Sequence, residues 1–359
     1  MQLGLSENLS ALVARRFTAA KDGGHLIFSS THLSIITTAG IPYQLRYCPA
    51  LAMKPKDLKQ NPSPGPKPPK VDPFENPSPD LLLASFPPQN PTHALVLNKF
   101  PVIPNHFILA TKAWKAQTDL LETADLEATY ECLRAWGDKP STGPGSSSNP
   151  SASNTNTNRL FAFFNSGEDS GASQPHRHLQ FLPVEAMHQP GTESWSPLID
   201  LVTAQPQHNP STFQSHPSLP FAHFALPLPS NPSPKTLHTI YIALYRAAVA
   251  AVQGRDASQA VQSMPMHGPS AISYNLAMTL ETMMIAPRVA ETARVPVDSA
   301  VEGDIVDHGV VSLNGTILAG TLMVKAQGEW DILRTKPEVL GRLLRDVGVS
   351  GVGMGHASL

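Results

Sequence analysis

The chain has 359 residues, 41% of them apolar, with a formal net charge of −2 and a pI near 6.7. That is enough apolar sequence for one large domain or two smaller ones, which excludes a disordered protein, and no basic field exists for general nucleic-acid binding. Its two cysteines, Cys48 and Cys132, lie far apart and outside any CxxC pattern, which argues against a disulfide framework and a cysteine-based zinc site. The opening Met1-Gln2-Leu3 turns polar at once and no apolar run reaches about 18 residues, so the expectation is a cytoplasmic protein, with the nucleus as a second compartment, and no membrane partner.

In chain order, Leu5, Leu9, Leu12, Val13 and Phe17 repeat at helical spacing and predict an amphipathic helix over 4–20. Leu26-Ile27-Phe28 with Leu33–Thr38 reads as a strand pair, and Tyr43–Tyr47 as another strand. Residues 54–80 are dense in Pro, Lys and Asn and predict a covering loop. Strands are expected at 93–98 and 106–111, then a helix over 115–136. Residues 138–158 are almost wholly Ser, Thr, Gly, Pro and Asn, a composition that predicts a disordered insertion. Phe161–Phe164 predicts a strand, followed by a Gly/Ser-rich loop and a strand over 176–182. Residues 186–236 read as Pro- and His-rich connection, consistent with the 36 prolines, about twice the usual share of roughly 5%. A helix over 237–252, a hairpin from 272–279 and 283–287, a Gly-interrupted apolar segment at 313–325 and a helix over 338–346 complete the chain. The order predicts an α+β fold with long Pro-rich loops; no GxGxxG or GxxxxGK[ST] follows a strand, so neither a dinucleotide-binding nor a P-loop enzyme fits.

Within the strand over 176–182, alternate residues share a face, so His176, His178 and Gln180 point together. Three polar side chains side by side are costly unless something occupies them. A phosphate would: backbone N–H groups of Gly171, Ala172 and Ser173 can form an anion cradle, and neutral imidazole is a good nucleophile near pH 7. Gln180 can donate to a phosphate oxygen without adding negative charge. His-x-His also suits a metal site or two surface histidines, but glutamine is a poor metal ligand, so no protein-held metal is expected.

The run from Asn165-Ser166-Gly167 through Gly171-Ala172-Ser173-Gln174 to His176-x-His178-x-Gln180 resembles the site of the histidine-triad superfamily, in its His-x-His-x-Gln transferase branch. Within that branch it resembles the fungal diadenosine tetraphosphate phosphorylases (ATP adenylyltransferases). Asn98-Lys99-Phe100 with Asn105-His106-Phe107, Tyr274-Asn275 through Thr279 with Ala286-Pro287-Arg288, and Ser312-Leu313-Asn314 through Lys325 resemble further blocks of the family.

The resemblance implies a histidine-triad-like antiparallel sheet with flanking helices. It implies an N-terminal catalytic region over 1–190, a Pro-rich connection over 191–236, and a C-terminal ATP adenylyltransferase region over 237–359 completing the same site. It further implies that His178 attacks the α-phosphorus of a dinucleoside tetraphosphate, releasing ATP, and that inorganic phosphate then takes the adenylyl group to give ADP. Gln180 would stabilise the phosphate, with Asn165 and Gly171, Ala172, Ser173 and Gln174 lining the phosphate track. Asn98 and Lys99 would meet the nucleotide, and Lys54 (with Lys56 as a rival) the distal phosphates. Asn275, Met278, Thr279, Met284 and Arg288 would come from the second half of the chain. His176 supports, orienting either a phosphate or the nucleophile. No tightly bound cofactor is implied, a divalent cation can arrive with the substrate phosphates, and the family prior is a monomer.

Blander roles stand beside these: surface charge for Lys99 and Arg288, and strand-end hydrogen bonding for Asn275 and Thr279. Two other functions compete. A sugar-1-phosphate uridylyltransferase shares His-x-His-x-Gln, although such enzymes often carry cysteine-containing metal sites. A silent nucleotide-binding protein, or a metal-binding regulator using the 14 histidines, is opposed by the intact nucleophile and by the scatter of His188, His208, His216 and His223 through Pro-rich loops.

Overall fold

The computed structural model describes residues 3–52, 72–137, 158–204, 213–255, 265–296 and 309–350. Lys54, Lys56 and the segment 138–157 lie outside them. Eight strands form one antiparallel sheet: β3 (Leu82–Phe86), β4 (His93–Leu97), β5 (Phe107–Thr111), β6 (Leu160–Ser166), β7 (His178–Pro183), β8 (Phe224–Pro227), β9 (Ser273–Met278) and β10 (Thr282–Arg288). Their spatial order is β3-β4-β5-β7-β6-β9-β10-β8. A smaller sheet carries the hairpin of β1 (His32–Thr38) and β2 (Ile41–Tyr47), with β13 (Thr321–Val324) parallel to β2. A two-stranded ribbon joins β11 (Thr292–Arg294) and β12 (Val310–Ser312).

The large sheet is covered on both faces, and its period of two sorts the side chains. Leu160, Ala162 and Phe164 of β6, with Tyr274, Leu276 and Met278 of β9, enter one core. That core is closed by helices α1 (Leu9–Asp22), α2 (Thr123–Gly137) and α5 (Pro234–Val252). Phe161 and Phe163 of β6, with Ala277, Met284 and Ala286, enter the second core. There they meet the small sheet and helices α3 (Val184–Met187), α4 (Leu198–Thr203), α6 (Gln327–Thr335) and α7 (Glu338–Val347). The sequence boundaries at 190 and 236 do not divide the large sheet, because β9 pairs with β6 from Ala162↔Met278 to Ser166↔Tyr274.

Most predicted elements are present, with instructive shifts. The first helix starts at Leu9 because the Asn8 side chain accepts from Ser10 N at 2.9 Å and caps it. Helix α5 starts at Pro234, with Ser233 accepting from Thr236 N at 3.0 Å and proline where no N–H is needed. Leu26–Phe28 is not a strand; Ile27 N and Ser29 N instead donate to the carbonyls of Lys99 and Pro101.

The helix predicted from 115 begins only at Thr123, where Asp125 accepts from Glu122 N at 2.8 Å. The preceding residues form an extended strap whose Gln117 N donates to Pro175 O and whose Lys115 O accepts from Arg177 N. The supposed connection 186–236 contains α4, β8 and the buried Trp195. β3, α6 and the ribbon were not anticipated. Among the described residues no helix is long and apolar enough to cross a membrane.

Candidate active site

β7 starts at His178, so His176 pairs not with β5 but with the strap, through an isolated bridge to Ala116. His178 is 2% exposed and its Nδ1 lies 2.8 Å from the His176 carbonyl. A carbonyl can only accept, so Nδ1 carries the proton and Nε2 keeps its lone pair. Burial pushes the His178 pKa down to about 4; the His176 carbonyl opposes that shift and the neighbouring His176 ring adds to it. The imidazole is therefore neutral at physiological pH.

His176 has both ring nitrogens engaged: Nδ1 with Asp72 Oδ2 at 2.6 Å and Nε2 with the Thr111 hydroxyl at 3.0 Å. Both bonds are internal to the protein, so they fix the His176 ring while its carbonyl holds His178 Nδ1. Phe74 is held by Phe74 N donating to Asp72 Oδ1 at 2.9 Å, and its ring centroid lies 5.1 Å from that of His178. The Asp72–Phe74 turn thus covers the histidine pair.

Gln180 is oriented by a relay whose polarity can be followed atom by atom. Phe100 N–H donates to Asn98 Oδ1 at 2.9 Å, which turns Asn98 Nδ2 toward His106 Nδ1 at 3.0 Å. Nδ1 must then accept, so His106 Nε2–H donates to Gln180 Oε1 at 3.0 Å. With its oxygen spent, Gln180 presents its amide N–H groups as donors on the His178 face.

The glycine-rich loop is anchored by buried amides. A short 3-10 turn at Glu168–Ser170 is followed by Gly171 at φ 78°, ψ 29°, the right-then-left-handed backbone sequence that aims successive N–H groups into one concavity. A Cβ on Gly171 would stand 2.8 Å from Asn314 Cβ and 2.9 Å from Leu313 O. Asn165 Oδ1 accepts from Gly315 N and Asn275 Nδ2, both at 2.9 Å, and Asn275 Nδ2 also reaches Ser170 O at 2.9 Å.

Arg288 donates to Asn275 Oδ1 and to the carbonyls of Val347, Ala290, Glu291 and Leu313. Burial lowers its pKa to about 10, so it stays a cation, spent on holding the loop. Arg288 is therefore not a surface charge, and Asn275, inside β9 rather than at a strand end, has its amide bonded to Asn165, Ser170 and Arg288.

Thr279 is likewise in a turn, its hydroxyl accepting from Glu281 N at 3.3 Å. Met278 is corrected to a packing residue: it belongs to the helix-side core with Tyr274 and Leu276, on the sheet face opposite His178. Met284 shares the site's face of the sheet but is fully buried in the second core. Lys99 is exposed beside Phe100, its Nζ 5.7 Å from the ring centroid, near the Asn98 end of the relay. Ala172 and Gln174 are half-buried and Ser173 is exposed on the glycine-rich loop. Asp72, Phe74, Thr111 and Gln117 were missed, and His106 was noted only as part of a motif.

Just before β7, on the side away from His178, Arg177 meets Asp125 at 2.9 Å and Glu122 at 3.0 Å, and Asp125 also meets His93 at 3.0 Å. Burial raises the Asp125 pKa, but the His93 bond and the Arg177 charge outweigh it and leave the carboxyl low. This buried ion network fixes the strand from behind. Among the described residues no group of three His, Cys, Asp or Glu side chains is placed to hold a metal ion.

The Ap4A phosphorylase N-terminal domain model matches residues 2–138 and 153–202, more than half of the chain. The chain belongs to the Ap4A phosphorylase family. The remainder is matched over 217–350 by the ATP adenylyltransferase C-terminal domain model. Diadenosine 5',5'''-P1,P4-tetraphosphate phosphorylase 2 of Saccharomyces cerevisiae is 28% identical over 356 residues, covering 96% of this chain and 95% of that protein. Protein APA1 of the same yeast is 26% identical, covering 96% of each. The crystal structure of yeast Ap4A phosphorylase Apa2 in complex with Ap4A superposes with a TM-score of 0.72 at 24% identity, covering 97% of this chain and all of that one. The fold is thus that of the family throughout, consistent with the α+β, antiparallel-sheet expectation.

Proposed function

We propose that this protein is a diadenosine tetraphosphate phosphorylase, converting Ap4A and inorganic phosphate to ATP and ADP through a nucleotidyl-histidine. The observation that carries the reading is His178: a neutral imidazole with Nδ1–H locked on a carbonyl and Nε2 without a hydrogen-bond partner among the described residues, in a chain of the Ap4A phosphorylase family.

In the first half-reaction His178 Nε2 attacks the α-phosphorus in line. The N–P bond forms as the α-phosphorus–oxygen bond breaks, and ATP leaves. Positive charge then grows on the ring, and the Nδ1–H bond to the His176 carbonyl strengthens with it; Asp72, bonded to the same residue, adds a negative field. Gln180 donates to the phosphoryl oxygens where charge shifts, and the Gly171–Gln174 backbone cradles the phosphate chain. In the second half-reaction a phosphate oxygen attacks the same phosphorus, the N–P bond breaks, and ADP leaves with His178 restored. The chemistry is reversible.

Asn98 and Lys99 meet the nucleotide, and Lys54 the distal phosphates. A divalent cation travels with the substrate, and no protein-held cofactor takes part. The enzyme acts as a cytoplasmic monomer, and its two cysteines, buried and unpaired, are consistent with a reducing compartment.

The test uses Ap4A labelled at the α-phosphorus. Acid-labile, base-stable label on the wild type, absent from His178→Ala, is expected, with ADP forming only once phosphate is added. Label that survives in His178→Ala refutes the nucleophile. Label from a UDP-sugar but not from Ap4A refutes the substrate.

A further inference from the structure

Strands β6 and β7 run as a regular antiparallel ladder from Leu160↔Pro183 to Phe163↔Gln180. Continued, that register would set Asn165 opposite His178. It does not continue: β6 stays with β9 as far as Ser166↔Tyr274, while β7 stays with β5 as far as Ala110↔His178. The ladder therefore opens at the rung that carries the nucleophile.

One side chain fills the opening. Gln117, 3% exposed, reaches in from the strap. Its Nε2 donates to Asn165 O at 2.7 Å and to His178 O at 3.1 Å, and its Oε1 accepts from His178 N at 2.7 Å. The amide thus bridges the two strands where their own peptide groups no longer pair. Its polarity is fixed, because His178 N can only donate and the two carbonyls can only accept.

The strap itself is anchored on the segment before β7: Gln117 N donates to Pro175 O and Arg177 N to Lys115 O, both at 2.8 Å. No charged or apolar side chain can meet these demands. A carboxylate has no donor for the two carbonyls, and an alkyl chain leaves three buried backbone groups without partners.

We infer that Gln117 is a positioning residue for the reaction: its side-chain amide is an inserted rung that sets the distance between His178 and the Asn165-anchored glycine-rich loop. Gln117 touches His178 only through the backbone, so its effect reaches the chemistry through placement. The gap it holds decides where a phosphorus seated in the loop stands relative to Nε2. Without it the strands either close toward the regular ladder or drift apart, and both movements spoil in-line attack. This inference rests on the proposed nucleotidyl-histidine chemistry.

Gln117→Met keeps length and removes every hydrogen bond; Gln117→Glu keeps the acceptor for His178 N and removes the amide donor. Single-turnover labelling from α-labelled Ap4A, AMP affinity and folded fraction are measured for each. The labelling rate per folded molecule is expected to fall about tenfold to a hundredfold in Gln117→Met, as misplacement by an ångström does. AMP affinity should change by no more than about threefold, a loss confined to the chemical step. Gln117→Glu should show the same pattern, and it carries the test should Gln117→Met not fold.

A folded variant that labels within about twofold of wild type overturns the role of Gln117, as does an AMP affinity that falls in step with the rate. A wild type that takes no label at all overturns the functional reading instead.

Discussion

Lowering the pH separates two consequences of the buried histidines that point in opposite directions. His178 and His223 are both pushed down to about 4 by burial, from an ordinary value of 6.5. For catalysis the depression protects the nucleophile. At pH 5.5 an ordinary histidine would be neutral in only about 9% of molecules, whereas one titrating near 4 is neutral in about 97%. For stability the sign reverses. The unfolded chain takes up protons below about 6.5 and the folded chain does not until about 4, so stability present above 6.5 is lost as the pH falls through that window.

From pH 7.5 to 5.5 each histidine costs about 1.3 kcal/mol, so the two together cost about 2.7 kcal/mol. The assays are single-turnover labelling from Ap4A and urea denaturation, at matched pH values from 8 to 5. Labelling per folded molecule should stay nearly level while stability drops. His223→Gln, far from the reaction in its contacts with Phe221 O and His216 N, should remove about half of the loss without altering the labelling rate. A labelling rate that falls with an apparent pKa near 6.5 would refute the buried, neutral nucleophile.

Three further outcomes follow from the same contacts. Phe74→Ala uncovers His178 and weakens the desolvation that lowers its pKa, so the acid limb of the labelling rate should move up toward 6.5; an unmoved limb would show that Phe74 does not shield the ring. Arg288→Met leaves Asn275 Oδ1 and four backbone carbonyls short of a donor, and should destabilise the protein by about 3–5 kcal/mol in urea denaturation. Gly171→Ala adds a left-handed backbone cost of about 1–2 kcal/mol to a contact with Asn314 and Leu313. Its expected signature is weaker Ap4A binding together with lower stability, read by titration calorimetry and by denaturation.

The sheet was legible where a strand's own residues settle its fate. Phe161–Phe164 and the His178 strand have the apolar density or the alternation of a strand covered on both faces, and both are in place. Leu120 and Leu121 misled because their spacing also fits a helix. Their N–H groups go instead to Gly268 O and Tyr241 Oη, partners more than a hundred residues away that no local period reveals. Gln117 was hidden by the same error, since on a helix it is one more polar residue. Asp72 was lost in a segment read as covering loop, where nothing nearby in sequence announces that it meets His176. The motif blocks around Asn98, Asn275 and Arg288 were visible as patterns, but pattern cannot tell a ligand contact from an internal bond. Three-dimensional register decides that, and it put Met278 on the wrong face for a ligand.

The site's dependence on neutral amides has a physical reason. Asn98, Gln117, Asn165, Gln180 and Asn275 each carry a donor and an acceptor, so each can pass on an orientation set by a backbone group: Phe100 N–H for the Gln180 relay, His178 N–H for Gln117, Gly315 N–H for Asn165. None changes the charge that a polyphosphate meets. A carboxylate at those positions would repel the substrate, and a cation would grip the bound polyphosphate about as strongly before the reaction as during it, tightening binding without lowering the barrier. Two buried cations near the site fit this division. Arg288 is spent on the loop scaffold and Arg177 on the side away from His178, just before β7, while Lys99 stands exposed at the margin. In the proposed reaction the phosphorus would meet a neutral imidazole and an amide donor whose directions are fixed before substrate arrives. Stabilisation then grows as charge develops in the transition state, and the geometry need not reorganise to supply it.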